Sequence, residues 1–71
     1  MTIQQIKDRI AGFLDGEALN QWNQLHRETV NEYVIRVQRA GNEFDEGDER
    51  ESAEDNECSQ IAQEYTEEYP G

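Results

Sequence analysis

Apolar residues recur at helical spacing over the first segment of the chain. They lie three, four, three and one positions apart, as Ile3, Ile6, Ile10, Phe13 and Leu14. This spacing places them on one face and predicts an amphipathic helix over about residues 3–14. Thr2 and Gln5 are spaced for a capping box at its start, and Asp15-Gly16 supplies a stop signal at its end.

The second segment carries a broader apolar face. Its members are spaced for one helix over about residues 17–40, and they are Ala18, Leu19, Trp22, Leu25, Val30, Tyr33, Val37 and Ala40. Trp22 is the one tryptophan of the chain and stands near the centre of this face. We therefore expect Trp22 to anchor the core, because a tryptophan ring buries a large apolar area.

Inside this segment, residues 33–37 have a composition typical of a β-strand, because three of the five are Val or Ile and one is Tyr. Ile35 also falls on the side of the helix opposite to the other apolar residues. The alternative is therefore a helix that ends near Glu28, followed by a short strand near residues 32–37.

The last segment again has a helical pattern but is far more polar. A narrow apolar stripe runs through a predicted helix over residues 52–69 and consists of Cys58, Ile61, Ala62, Tyr65 and Tyr69. Ser52 and Asp55 have capping-box spacing at its start. We expect Tyr65 to lie in the core and Tyr69 to be exposed near the end of the helix.

A strongly charged connector, residues 42–51, joins these two parts. Six of its ten residues are acids, and their mutual repulsion predicts an extended, mobile segment. The whole pattern predicts a small all-α protein of three helices. Its amphipathic helical core lies in residues 1–41 and its acidic helix in residues 52–69, while an α+β arrangement with the short strand is the alternative.

Charge divides the chain even more sharply than hydropathy does. Residues 1–42 contain five acids and five bases, whereas residues 43–71 contain twelve acids and a single base, Arg50. The formal net charge of −11 therefore belongs to the C-terminal part. Such a surface repels nucleic acid and anionic membranes, so a basic nucleic-acid-binding protein is the expected partner.

The sequence shows no motif of an enzyme or of a metal site. Cys58 stands among acids, which raise the pKa of a thiol and suppress its thiolate. His26 has no cysteine, histidine or well-placed carboxylate as a partner. The acids do not fit a calcium-binding loop, since Arg50 and Asn56 stand where glycine and glutamate are required. We therefore expect no catalysis, no metal and no cofactor.

The cellular location also follows from the pattern. The chain has no apolar run of the roughly 18 residues that a membrane span needs. Its first residues lack a basic region followed by an apolar run, so we expect no signal peptide. Its single cysteine excludes an internal disulfide framework. We expect a cytoplasmic protein, in the cytoplasm of the host cell if the protein is viral.

The acidic run is the leading candidate for a functional surface. A helix over residues 53–68 would be about 24 Å long at about 1.5 Å per residue. Its carboxylates would lie about 4 Å apart, close to the spacing of about 3.4 Å between phosphates along one DNA strand. The candidate partner-binding residues are Glu43, Asp45, Glu46, Asp48, Glu49, Glu51, Glu54, Asp55, Glu57, Glu64, Glu67, Glu68 and Tyr69.

This density predicts a DNA mimic, a noncatalytic inhibitor whose carboxylates replace phosphates and block the DNA- or RNA-binding channel of a nuclease, restriction, CRISPR or repair protein. In size and charge alone the chain resembles viral and mobile-element anti-defence proteins, and it carries no family signature. The alternative is a small helical adaptor or regulatory subunit that binds through the apolar faces of the first two helices, with an acidic tail that only solubilises it. The small core is compatible with a homodimer under either hypothesis.

Overall fold

The computed structural model describes residues 2–45 and 47–68. Within these ranges the chain forms four helices and no strand, with the order α1 (Ile3–Gly12), α2 (Gly16–Asn23), α3 (Arg27–Asn42) and α4 (Gly47–Glu68). The all-α fold class is confirmed. The alternative strand near residues 32–37 is wrong, because these residues lie in the middle of α3. Glu46 and Tyr69 of the candidate set lie outside the described residues.

Helix α1 begins where the sequence predicts it. The Gln5 N–H donates a hydrogen bond to Thr2 Oγ1 (3.2 Å), and the Thr2 N–H donates to Gln5 Oε1 (2.8 Å). This reciprocal capping box satisfies N–H groups that a helix start leaves unpaired. After α1 the chain turns, and Gly16 at the start of α2 has a φ of 60°, a left-handed value that glycine adopts without steric cost.

The predicted single helix over residues 17–40 is wrong in one respect, because it is broken at residues 24–26. Helix α2 ends at Asn23, and the extended backbone of His26 (ψ 146°) precedes α3. No glycine or proline marks this break. The break lets α2 fold back against α1, so that Trp22 enters the core, whereas an unbroken helix would hold α2 in line with α3.

Helix α4 begins earlier than predicted. It starts at Gly47, and α3 ends at Asn42, so six of the ten residues of the connector predicted over residues 42–51 are helical rather than extended. Ser52 lies inside α4, and its predicted capping role is therefore wrong. Asp48 and Glu49 occupy the first turn, where their charges favour the positive end of the helix dipole. This attraction offsets part of the repulsion among the acids, from which an extended connector was predicted.

The core is shared by all four helices. Trp22 is fully buried; its Nε1–H donates to the Lys7 carbonyl oxygen (3.3 Å), and its ring centre lies 5.4 Å from that of Tyr33 and 5.6 Å from that of Tyr65. The predictions that Trp22 anchors the core and that Tyr65 belongs to it are confirmed. The buried apolar residues are Ile6, Ile10, Leu14, Ala18, Trp22, Val30, Val34, Val37, Cys58, Ile61, Ala62 and Tyr65.

Helix α4 packs along α3 in the most extensive helix contact of the fold. At a tight point of this contact, Gly41 faces the side chain of Glu54, which is only 4% exposed. A Cβ atom on Gly41 would lie 2.8 Å from Glu54 Cγ, so the absence of a side chain allows this approach. The core therefore extends beyond residues 1–41 and needs α4 to close it.

Candidate partner-binding surface

The densest negative charge lies where α3 passes into α4. Residues 43–51, called the acidic corner below, contain six acids and one base, a formal charge of −5. The acids that the structure describes there are all exposed, and none forms an ion pair with another described residue; they are Glu43, Asp45, Asp48, Glu49 and Glu51. Their carboxylates are therefore free to meet cations of another molecule.

The single base of the acidic corner contacts residues outside it. Arg50 Nη2 donates to Asn42 Oδ1 at 2.9 Å, and Arg50 Nε lies 3.9 Å from Glu54 Oε1. The guanidinium thus contributes to the contact between α3 and α4 and forms no ion pair with the described acids of the acidic corner.

An aromatic side chain lies among these carboxylates. Phe44 is 37% exposed and lines a recess of about 420 Å³, whose lining also includes Ala53, Asp48 and Glu49. The recess combines apolar surface with a negatively charged rim. This combination suits a protein interface, because an aromatic ring buries a large contact area and anchors the charged contacts around it.

Farther along α4, two acids are paired with an arginine of α3. Arg36 Nη2 lies 3.0 Å from Glu57 Oε1 and 3.0 Å from Glu64 Oε2, and Arg36 Nε donates to Glu57 Oε1 at 3.2 Å. The two acids are seven residues apart and therefore lie two turns apart on one side of α4. The hydrogen bond to Glu64 is the largest of the influences that raise the pKa of Arg36.

On the other side of α4, an arginine of α1 holds a third acid. Arg9 Nη1 donates to Asp55 Oδ1 at 2.7 Å, and this hydrogen bond is the main cause of the raised pKa of Arg9. Glu54, the residue before Asp55, is buried between α3 and α4. These acids hold α4 against its neighbours and are less accessible to a partner than those of the acidic corner.

The candidate residues therefore separate into two groups. The described acids of the acidic corner form one exposed cluster, whereas Glu54, Asp55, Glu57 and Glu64 take part in contacts within the fold. Between Glu54 and Glu64, the residues of α4 that are exposed are polar but uncharged; they are Asn56, Ser59, Gln60 and Gln63. Glu67 and Glu68 are exposed at the far end, and Glu67 lies about 24 Å along the helix from Glu51 at about 1.5 Å per residue.

Sequence reasoning missed the arginines that divide the acids in this way. Both arginines lie in the first part of the chain, where acids and bases are equal in number. Arg9 is 46 residues from Asp55, and Arg36 is 21 residues from Glu57. The spacing of Glu57 and Glu64 was the available signal, because two acids on one helix side can share one guanidinium. Which base lies opposite them depends on the packing of α3 against α4.

The cysteine and the histidine that the sequence analysis considered differ in their burial. Cys58 is fully buried, and burial is the main cause that raises the pKa of its thiol to about 11. His26 is exposed. Among residues 2–45 and 47–68, no three His, Cys, Asp or Glu side chains are placed to hold a metal ion. In the same part of the chain, no helix has the length and apolar character to cross a membrane.

Comparison with protein-family models, with curated proteins and with solved structures gives no match. The features of the molecule that indicate a function are therefore the exposure and charge of the acidic corner and the apolar ring within it.

Proposed function

We propose that this protein is a noncatalytic inhibitor that binds the nucleic-acid-binding surface of another protein, with carboxylates of the acidic corner in the places of phosphates. The observation that carries this proposal is the contrast between paired and unpaired acids. Arg9, Arg36 and Arg50 contact acids in the middle of α4. The described acids of the acidic corner are exposed and have no such partner among the described residues.

The charges of the acidic corner lie close enough to act together. The helical part of the corner, residues 47–51, rises only about 6 Å along the axis at about 1.5 Å per residue. This distance is shorter than the Debye length of about 8 Å at physiological salt, so salt screens these charges from one another only in part. Since phosphates repeat about every 3.4 Å along a DNA strand, the corner corresponds to a short stretch of a few phosphates.

Phe44 favours a protein surface as the partner. An arginine side chain can stack on the ring while neighbouring carboxylates bind other cations, and a protein surface can cover the ring and the carboxylates together. Nucleic-acid-binding channels are rich in arginine and lysine because they bind phosphates. The ring and the carboxylates of the acidic corner together match such a channel.

The proposal includes no reaction. Cysteine is the strongest nucleophile among the side chains of this chain, and its thiolate is the reactive form. Burial and the neighbouring acid Asp55 raise the pKa of Cys58 to about 11, so the thiol stays protonated near neutral pH. The groups that the chain exposes most densely are carboxylates, whose role here is to bind cations.

The adaptor hypothesis receives less support from the packing. It relies on the apolar faces of the first two predicted helices, and those faces pack into the protein's own core. Outside the acidic corner, the large apolar side chains that are exposed among the described residues are Ile3, Phe13 and Ile35. Isolated exposed apolar residues are normal on a protein surface. A truncation after Gly41 would also remove part of the core, so substitutions are the better test.

The test compares two charge-neutralised forms of the protein that differ only in where the charge is removed. The corner variant carries Glu43→Gln, Asp45→Asn, Asp48→Asn and Glu49→Gln. The matched control removes the same number of exposed carboxylates from the other part of the chain through Asp15→Asn, Glu17→Gln, Glu28→Gln and Glu32→Gln. Each form is immobilised and exposed to cell extract at about 0.05 M and about 0.2 M salt, the range over which phosphate-like contacts weaken steeply.

The wild type and the control should retain nucleic-acid-binding proteins that short duplex DNA releases. The corner variant should retain about tenfold less, and retention should fall from the lower to the higher salt concentration, because the contact replaces phosphate charge. Equal retention by the corner variant and the control contradicts the proposal. Retained proteins that DNA does not release, or binding that salt does not weaken, also contradict it.

A further inference from the structure

A small basic groove lies at the end of the molecule where α3 begins. It has a volume of about 180 Å³ and lies between the first turns of α1, the link from α2 to α3, and the start of α3. Ile3, Leu25 and Val30 give it apolar surface, and Lys7 and Arg27 give it two cations. Since an apolar cavity of about 150 Å³ holds one benzene ring, the groove has the size for a single aromatic side chain.

The two cations of this groove are not used within the described part of the chain. Arg9, Arg36 and Arg50 each contact an acid, whereas neither Lys7 nor Arg27 forms an ion pair with another described residue. A ligand that fits the groove therefore has an aromatic ring for the apolar surface and carboxylates beside it for the two cations.

The chain presents such a ligand at the other end of α3. Glu43-Phe44-Asp45 places an exposed ring between two exposed carboxylates. Asn31 is the groove residue nearest to the tripeptide along α3, and the 12 positions from Asn31 to Glu43 correspond to about 18 Å at about 1.5 Å per residue. The tripeptide therefore cannot enter the groove of its own molecule.

We infer that the Glu43-Phe44-Asp45 segment of one molecule docks into the groove of a second copy of this chain. Phe44 lies against the apolar surface of the groove, and the two carboxylates bind Lys7 and Arg27. The contact joins different surfaces of the two copies, so each added copy leaves one groove and one tripeptide free, and association continues in a row rather than stopping at a symmetric dimer.

The net charge sets the conditions of this association. Each copy carries a formal charge of −11, so repulsion between copies weakens the contact at low salt. Physiological salt, with a Debye length of about 8 Å, screens this repulsion. The inference does not depend on the proposed function. It does involve the same acidic corner, so a basic partner and a second copy compete for Glu43 and Asp45.

Sedimentation equilibrium of the full chain at physiological salt tests this contact. The groove variant carries Lys7→Gln and Arg27→Gln, and the tip variant carries Phe44→Ala. The control is Arg39→Glu, which changes the net charge by the same two units as the groove variant at an exposed residue outside the groove. Circular dichroism of each variant confirms that it retains the helical fold.

The average mass of the wild type and of the Arg39→Glu control should rise with concentration. The groove variant and the tip variant should each associate about tenfold more weakly, since each loses one side of the contact. An equimolar mixture of these two variants should form a dimer that does not grow, because the groove of one and the tripeptide of the other remain intact. A monomeric wild type at all concentrations overturns the inference, and so does a mixture that forms no dimer.

Discussion

Two pairs of substitutions on α4 remove the same charge and should change stability in opposite directions. The first pair, Glu57→Gln with Glu64→Gln, removes the acids that bind Arg36. The second pair, Glu67→Gln with Glu68→Gln, removes acids that are exposed at the C-terminal end of α4 and have no ion pair among the described residues. The general relief of negative charge is the same in both, so the difference between them reports the Arg36 contacts together with the smaller effect of the helix dipole at the C-terminal end of α4.

The magnitude follows from the exposure of the partners. The Glu57 side chain is 21% exposed and the Glu64 side chain 61%. Exposed ion pairs contribute about 0.2–1 kcal/mol each, so we expect the first pair of substitutions to cost about 1 kcal/mol. Acids at the C-terminal end oppose the helix dipole, and removing Glu67 and Glu68 should stabilise the protein by about 0.5 kcal/mol. The two variants should therefore differ by about 1.5 kcal/mol.

Urea denaturation followed through the fluorescence of the single, buried Trp22 measures this difference directly. In thermal denaturation it corresponds to a gap of about 6–12 °C, since about 1 kcal/mol shifts the midpoint of a domain of this size by about 4–8 °C. The variant Arg36→Gln should be destabilised by a similar amount, and adding it to the first pair should have little further effect. Equal midpoints for the two pairs, or a more stable first pair, would refute the role assigned to Arg36.

Three further predictions concern the core. Gly41→Ala should lower the free energy of unfolding by about 1 kcal/mol, because the added Cβ would meet buried Glu54 at 2.8 Å. Gly12→Ala, where nothing lies within 4 Å, should raise it by about 0.5 kcal/mol, and urea midpoints of the two variants in the reverse order would contradict this. Folding raises the pKa of the Cys58 thiol to about 11, above the unfolded value of about 8.5. The contribution of the Cys58 thiol to the free energy of unfolding should therefore be fully present below about pH 8.5 and be lost as the pH rises towards 11. A Cys58→Ala variant with the same decline in stability between pH 9 and 11 would exclude this cause. Trp22→Ala should abolish the helical circular dichroism signal, because a cost of about 3–5 kcal/mol equals the net stability expected of a chain of this size; a cooperatively folded variant would show that the core tolerates this loss.

The helical periodicity predicted much of the fold because it reflects local geometry. Ile6 and Ile10 of α1 are buried as their spacing predicts, and the capping box at Thr2 forms as its motif predicts. Val34 was assigned only to the strand-like run, yet it is buried in α3. Strand-forming composition is a weak preference, and the burial of this face against α4 overrides it.

The ends of the elements were less predictable, because local signals compete with packing. The break near His26 has no glycine or proline to mark it and arises where α2 folds back onto α1. The capping spacing at Ser52 is outweighed by a helix that continues towards Gly47 and lies against α3. In both cases the tertiary contacts decide between local structures of similar free energy.

The amino-acid sequence alone determined that this protein is helical, that Trp22 lies in its core and that its negative charge is concentrated after residue 42. These properties follow from residue type and spacing, which act over a few positions of the chain. Only the tertiary structure decided which carboxylates are neutralised within the molecule and which are exposed. Asp55 and Glu57 meet Arg9 and Arg36 because the packing of helices brings distant residues within hydrogen-bond distance, and no local pattern encodes that approach.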